Sequence, residues 1–170
     1  EPTLEDIRSF SEGLAAFRRS YKQGSVWGFI DKTGKVVIEP MFYQVEFFHE
    51  GLAVVVDVAG PMGMSAGFID RTGQIVIGQK WRQAQPFMEG LAGVRSLETN
   101  KWGFIDRTGR IVIEPTFDRV GGFWEGRADV TPVRGQNTGY IDKTGKMVVA
   151  PKFWRVVHFQ EGLAAVMRLV

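Results

Sequence analysis

The chain has 170 residues, long enough to bury roughly 70% of its unfolded surface without a covalent staple. It has no cysteine, which excludes disulfide frameworks, thiolate metal sites and thiol nucleophiles together. Its net charge of +2 is too small to argue for nucleic acid or a membrane surface, and no apolar run approaches the about 18 residues of a membrane span.

The chain opens on Glu1 rather than Met, with no charged-then-apolar leader, as a processed or trimmed fragment would. Residues 1–15 (EPTLEDIRSFSEGLA) lie over 114–128 (EPTFDRVGGFWEGRA), so the first segment starts in mid-repeat. The stretch Gly28 to Lys35 (GFIDKTGK) then returns as Gly67 to Gln74, Gly103 to Arg110 and Gly139 to Lys146, at spacings of 39, 36 and 36 residues. A second piece, F-x-E-G-L-A, occurs at Phe10 to Ala15, Phe48 to Ala53, Phe87 to Ala92, Phe123 to Ala128 and Phe159 to Ala164. The whole chain is one array with a period of about 36 residues: a partial repeat 1–26, then 27–65, 66–101, 102–137 and 138–170.

Each period predicts three strands: one after the E-G pair (Leu52 to Val56), one over Trp27 to Ile30, and one over Lys35 to Glu39. Between the last two lies D-x-T-G. Asp31, Asp70, Asp106 and Asp142 stand where a carboxylate accepts the backbone N–H two residues on. Gly34, Gly73, Gly109 and Gly145 supply the positive φ of a type I turn closing into a bulged hairpin. The third strands read VVI, IVI, IVI and VVV without polar alternation, which predicts cover on both faces. A constant alanine at 15, 53, 92, 128 and 164 predicts close approach of another backbone. Three aromatic columns (29, 68, 104, 140; 42, 81, 117, 153; 10, 48, 87, 123, 159) are read as core. Helix signals are weak.

The units Trp27 to Pro40 and Trp102 to Pro115, each followed by F-x-E-G-L-A or a near copy, resemble the bacterial WG-repeat family, also called KWG repeats. Ala66 and Thr138 depart from the naming tryptophan, and Tyr140 replaces the phenylalanine in the last copy. The resemblance covers almost the whole chain. It implies a bacterial β-rich repeat module of variable copy number, and it carries over no catalytic residue. The expected fold is all-β: three-stranded antiparallel meanders stacked in an open twisted solenoid. The alternative is a closed propeller-like ring, in which a strand over 162–170 completes a sheet with Leu14 to Phe17.

No pattern in the chain argues for catalysis, a metal or a cofactor. D-K-T-G, at 31–34 and 142–145, is also how the phosphorylated aspartate of cation-pumping ATPases is written. Tandem copies with Arg at 71 and 107 in place of Lys fit turn chemistry instead. The column Glu12, Glu50, Glu89, Glu125 and Glu161 is read as structural, each carboxylate accepting backbone N–H groups. His49 and His158 occupy different repeat positions and give no ligand spacing. Gly60-Pro61-Met62-Gly63-Met64 lacks the lysine and helix of a phosphate loop and reads as a connection between strands one and two.

Two features could face a partner. Lys32, Arg71, Arg107 and Lys143 follow the turn aspartates and would form a basic ridge, a contact for an anionic polymer or glycan. Tyr43 and Trp154 share a variable slot that holds Arg82 and Asp118 in other copies; with Trp124, Tyr21 and Phe47 they fall outside the recurring aromatic positions. Arg127 and Asp129 make the fourth copy of strand one locally polar. The leading expectation is a non-catalytic protein-binding or scaffold module, an inhibitor or immunity protein being a special case. The alternative is polyanion or cell-envelope glycan binding through the basic ridge and exposed aromatics.

Overall fold

The computed structural model describes residues 4–21, 24–60 and 63–168. Among these residues there is no helix, and hence none long and apolar enough to cross a membrane. The fold is all-β and repeated, every strand pairing being antiparallel. The chain forms two compact units, 1–81 and 82–170.

Unit 1 begins with a complete sheet of β1 (Leu4–Ile7), β2 (Leu14–Tyr21), β3 (Gly24–Asp31) and β4 (Val36–Phe42), in that order. It continues with β5 (Gln44–Val45), β6 (Leu52–Gly60), β7 (Gly63–Asp70) and the first part of β8 (Ile75–Ala84). Unit 2 contains the end of β8 with β9 (Leu91–Ser96), β10 (Trp102–Asp106) and β11 (Ile111–Phe117). A sheet of β12 (Arg119–Val120), β13 (Arg127–Thr131), β14 (Thr138–Asp142) and β15 (Met147–Phe153) follows, and then the pair β16 (Arg155–Val156) and β17 (Val166–Met167). Both edges of β2 are taken by β1 and β3, and β17 pairs with β16, so among the described residues the pairing of Leu14 to Phe17 with a strand near the end of the chain, which the ring considered from sequence requires, is not formed. In the connection from β6 to β7, Gly60 pairs with Gly63, while Pro61 and Met62 lie outside the described residues.

Repeats 27–65, 102–137 and 138–170 each contain a fourth strand that the pattern of three did not include. It is two residues long at Gln44–Val45, Arg119–Val120 and Arg155–Val156, and it pairs with the strand that follows the E-G turn. Its buried residue is Val45 in the first of these and Val120 in the second.

The hairpin between the second and third strands carries a large bulge. Trp27 pairs with Phe42 and Phe29 with Ile38, so two steps on β3 oppose four on β4. The same offset recurs at Ala66/Trp81 with Phe68/Ile77, at Trp102/Phe117 with Phe104/Ile113, and at Thr138/Phe153 with Tyr140/Val149. The bulge tolerates Pro40, Pro115 and Pro151, which could not donate to a regular ladder. It also folds the third strand over the glycine of the W-G pair: a Cβ on Gly28, Gly103 or Gly139 would collide with the carbonyl oxygen of Ile38, Ile113 or Val149. That close approach, and not a positive φ, requires glycine there.

Within a repeat, the ring of the G-F-I-D motif and that of the following F-x-E-G motif meet edge to face: Phe29 with Phe48 at 4.8 Å, Phe104 with Phe123 at 4.9 Å, and Tyr140 with Phe159 at 4.8 Å. Of the five constant alanines, Ala15, Ala53, Ala92 and Ala128 are fully buried and Ala164 is half-buried. Two expectations fail. Phe10, counted as core, is 47% exposed. The third strands are covered on one side only: Ile38, Ile77 and Ile113 are buried, whereas Val37, Val76, Val112 and Val148 face solvent. Branched residues at those outer positions suit an extended backbone without needing burial.

Candidate functional site

The two motifs that repeat most faithfully are occupied by the fold. In each D-x-T-G turn one carboxylate oxygen accepts three donors; for Asp106 these are the Thr108 N–H at 2.9 Å, the Thr108 hydroxyl at 2.6 Å and the Arg110 N–H at 3.1 Å. Asp31, Asp70 and Asp142 repeat the set. The threonine hydroxyl foremost, with the backbone donors, holds all four acids below the ordinary carboxylate range. The glycines at 34, 73, 109 and 145 close the turns at φ between 82° and 89°.

The E-G pairs are two-residue hairpin turns, with both residues at positive φ. From that turn the glutamate reaches the turn of the next repeat. Glu12 accepts the Gly51 N–H at 2.9 Å, Glu89 the Gly126 N–H at 2.9 Å, and Glu125 the N–H groups of Glu161 and Gly162 at 2.6 and 2.8 Å. Burial works to raise the Glu89 pKa, but Gly126 and Lys143 outweigh it and leave the acid below its usual range.

The basic residues after the turn aspartates contact these same turns. The Lys143 ammonium lies 3.1 Å from the Glu89 carboxylate and donates to the Glu89 carbonyl at 2.9 Å. A Cβ on Gly13 would lie 3.4 Å from Arg71 Nη2, and the Arg107 guanidinium sits 6.0 Å from the Phe87 ring centroid. Lys32 is exposed.

The aromatic residues outside the template are exposed: Tyr21, Tyr43, Phe47, Trp124 and Trp154. Tyr43 and Trp154 occupy equivalent backbone positions just before the short strand, their N–H groups donating to Val56 and Met167. In unit 1, Tyr43 lines a hollow with Arg8, Trp27 and Glu46; Arg8 lies 4.1 Å above the Trp27 ring and donates to the Val45 carbonyl at 2.7 Å. In unit 2, two adjoining cavities of about 470 and 560 Å³ share Arg119, Asp129, Val156 and Val157. Trp154 stands on the first and Trp124 on the second, where the indole stacks on His158 at 4.7 Å. The structure thus brings Trp124, Trp154 and Asp129 to one cleft and places Tyr43 elsewhere.

Asp129 is the electrostatic centre of that cleft. Desolvation raises its pKa despite the field of Arg119 and His158. Its position in strand one corresponds to Gly93 in the preceding repeat, and its cross-strand neighbour Gly121 corresponds to Gln85. The large polar group has therefore moved from the short-strand side, where Gln85 lies against Gly93, to the strand-one side, where Asp129 lies against Gly121. Sequence reading noticed Asp129 but not its relation to Gln85, because the two fall in different columns of the repeat. Among the described residues no group of three metal-ligating side chains occurs; His49 is at a turn and its Nδ1 is buried.

Compared with family models, the chain matches the one described as WG containing repeat, over residues 1–22, 27–57, 67–96, 102–131 and 139–168. No curated protein matches it.

Proposed function

Because the chain belongs to the WG-containing repeat family, we propose that it is a non-catalytic binding module whose partner is another protein, engaged at the cleft of unit 2. The observation that carries this reading is the pair of exposed indoles, Trp124 and Trp154, on one cleft at positions the repeat does not need for its core. Exposed tryptophans flanking a concave surface are favoured anchors for recognition. The glutamate column and the turn aspartates are engaged by backbone donors, which favours a structural over a catalytic use of both. Among the basic residues, Lys143 is paired with Glu89, which favours the aromatic cleft over a free cationic ridge as the contact surface.

The test is capture from the source lysate by the intact array and by the Trp124→Ala, Trp154→Ala double variant. The double variant should lose the captured protein while its thermal melt stays within a few degrees of the parent. Equal capture by both would overturn the assignment of this surface.

A further inference from the structure

Among the described residues, two hydrogen-bond acceptors that no other side chain serves line the unit 2 cleft, Asp129 and Gln85. The Asp129 carboxylate lies so close to the backbone of Gly121 that a Cβ there would collide with it, and the donor that serves it is its own backbone N–H, which leaves acceptor capacity on the cleft. Gln85 spends its Nε2 on the Val120 carbonyl at 3.2 Å, which leaves its buried Oε1 without a partner on the same cavity. A buried acceptor without a donor, as Gln85 Oε1 is, is costly and rare and calls for an explanation. Of the two equivalent pairs in unit 1, one carries Arg8, which is satisfied internally by Val45 and Trp27, and the other carries Glu46, which is exposed to water.

The surroundings narrow what could supply the donors. Arg119 lines both cavities and Arg155 the first, so a cationic ligand approaching Asp129 meets like charge. An anionic ligand meets Asp129 itself. A neutral ligand rich in hydroxyls escapes both penalties. It can donate to Asp129 and Gln85, accept from Arg119, and lay an apolar face on an indole. We infer that the cleft binds a neutral saccharide, with Asp129 and Gln85 accepting from its hydroxyls and Trp154 and Trp124 as stacking platforms. Each cavity has the volume of a small-ligand site. This assignment rests on the cleft being the binding surface of the module, and it places the recognised group on the glycan of a glycoprotein or on a free polysaccharide.

Calorimetric titration of the intact chain tests it, with three sets of probes: neutral hexose and N-acetylhexosamine oligosaccharides, uronate- or phosphate-bearing ones, and unglycosylated peptides. A neutral oligosaccharide should bind saturably with little salt dependence. Trp154→Ala and Asp129→Asn should each weaken it at least about tenfold, the scale of one charge-assisted hydrogen bond, with melts no lower than a few degrees below the parent; Lys32→Gln should leave it unchanged. Retention on isolated envelope polysaccharide, or loss of partner capture after enzymatic deglycosylation, would each support the assignment and identify the source. It is overturned if no neutral oligosaccharide binds, if only charged saccharides bind and salt abolishes them, if only peptides bind, or if the two variants bind as the parent does. Capture that depends on Trp124 and Trp154 yet survives deglycosylation would overturn the saccharide while leaving the protein-binding module standing.

Discussion

Glu89 sits at φ 51° in the E-G turn, a region that costs a long side chain about 1 to 2 kcal/mol. Its carboxylate offsets that strain by accepting the Gly126 N–H and pairing with Lys143. Glu89→Ala should therefore destabilise by about 1 to 2 kcal/mol, the lower part of the range for a charged hydrogen bond because the group is partly exposed; urea unfolding measures it. Glu89→Asn relieves the backbone but leaves the bond short, and should fall between Ala and the parent. Because the folded-state pKa of Glu89 is depressed, its contribution is present above the ordinary glutamate range and is lost as pH falls through the lowered value. Asp129 has the opposite sign. Its raised pKa means that the folded state disfavours the charge, so the penalty is full at neutral pH and fades as pH falls through the raised value toward the ordinary carboxyl range of about 4. Asp129→Asn should raise the melting temperature at pH 7 and give no gain at low pH. A gain in stability coupled to a loss of binding is the behaviour of a residue kept for its ligand; a lowered melting temperature at pH 7 would contradict this account of Asp129.

At the level of the strands, the bulged hairpin makes the sharpest demand on sequence. Gly103→Ala drives a methyl group into the Ile113 carbonyl of the bulge, where the chain has no flexible side chain to yield. The expected loss is about 1 to 3 kcal/mol, the ordinary range for overpacking, read as a shift in urea midpoint without a change in slope. The hairpin turn itself was legible in D-x-T-G, since Asp, Thr and Gly each have one local task there. The strand pairing around it was not. A bulge that sets two residues against four breaks the period of two, and nothing in Glu39-Pro40-Met41 announces its size. The short strand was hidden for a related reason: two residues show no period at all, and Val45 or Val120 alone cannot separate a strand from a bend. The V-V-I runs misled in the other direction, because branched residues serve an extended backbone on a solvent-facing edge as well as in a core.

Over the whole chain, the period of about 36 residues, the all-β class and the family were readable from recurrence alone. The candidate site was half readable. Trp124 and Trp154 stood out by failing to fit the template, but Gln85 and Asp129 could be joined only once the sheet register placed their columns opposite each other. In an array of this kind each sheet depends chiefly on its neighbours, so a local lesion should have a local effect. Glu125 holds the last turn through Glu161 and Gly162. Glu125→Gln should therefore speed hydrogen exchange in β16 and β17 while leaving the amides of β1 to β4 at their parental rates. Uniform acceleration across all sheets would instead mean that the chain opens as one cooperative block.

The link from each glutamate to the turn that follows has a consequence for how such a chain can change length. The Glu125–Gly126 turn carries both halves of the joint, a carboxylate directed forward to Glu161 and Gly162 and an N–H group that receives from Glu89. Duplicating or deleting one whole period with such a turn leaves the joints complete, since a new copy arrives with its own acceptor and its own donors. A cut at any other length leaves a glutamate strained in the left-handed region with nothing to hold. The chemistry of a single bond therefore makes lengthening by whole periods the tolerated form of change, and leaves a cleft such as the one around Asp129 free to diverge in one copy while its neighbours keep the scaffold.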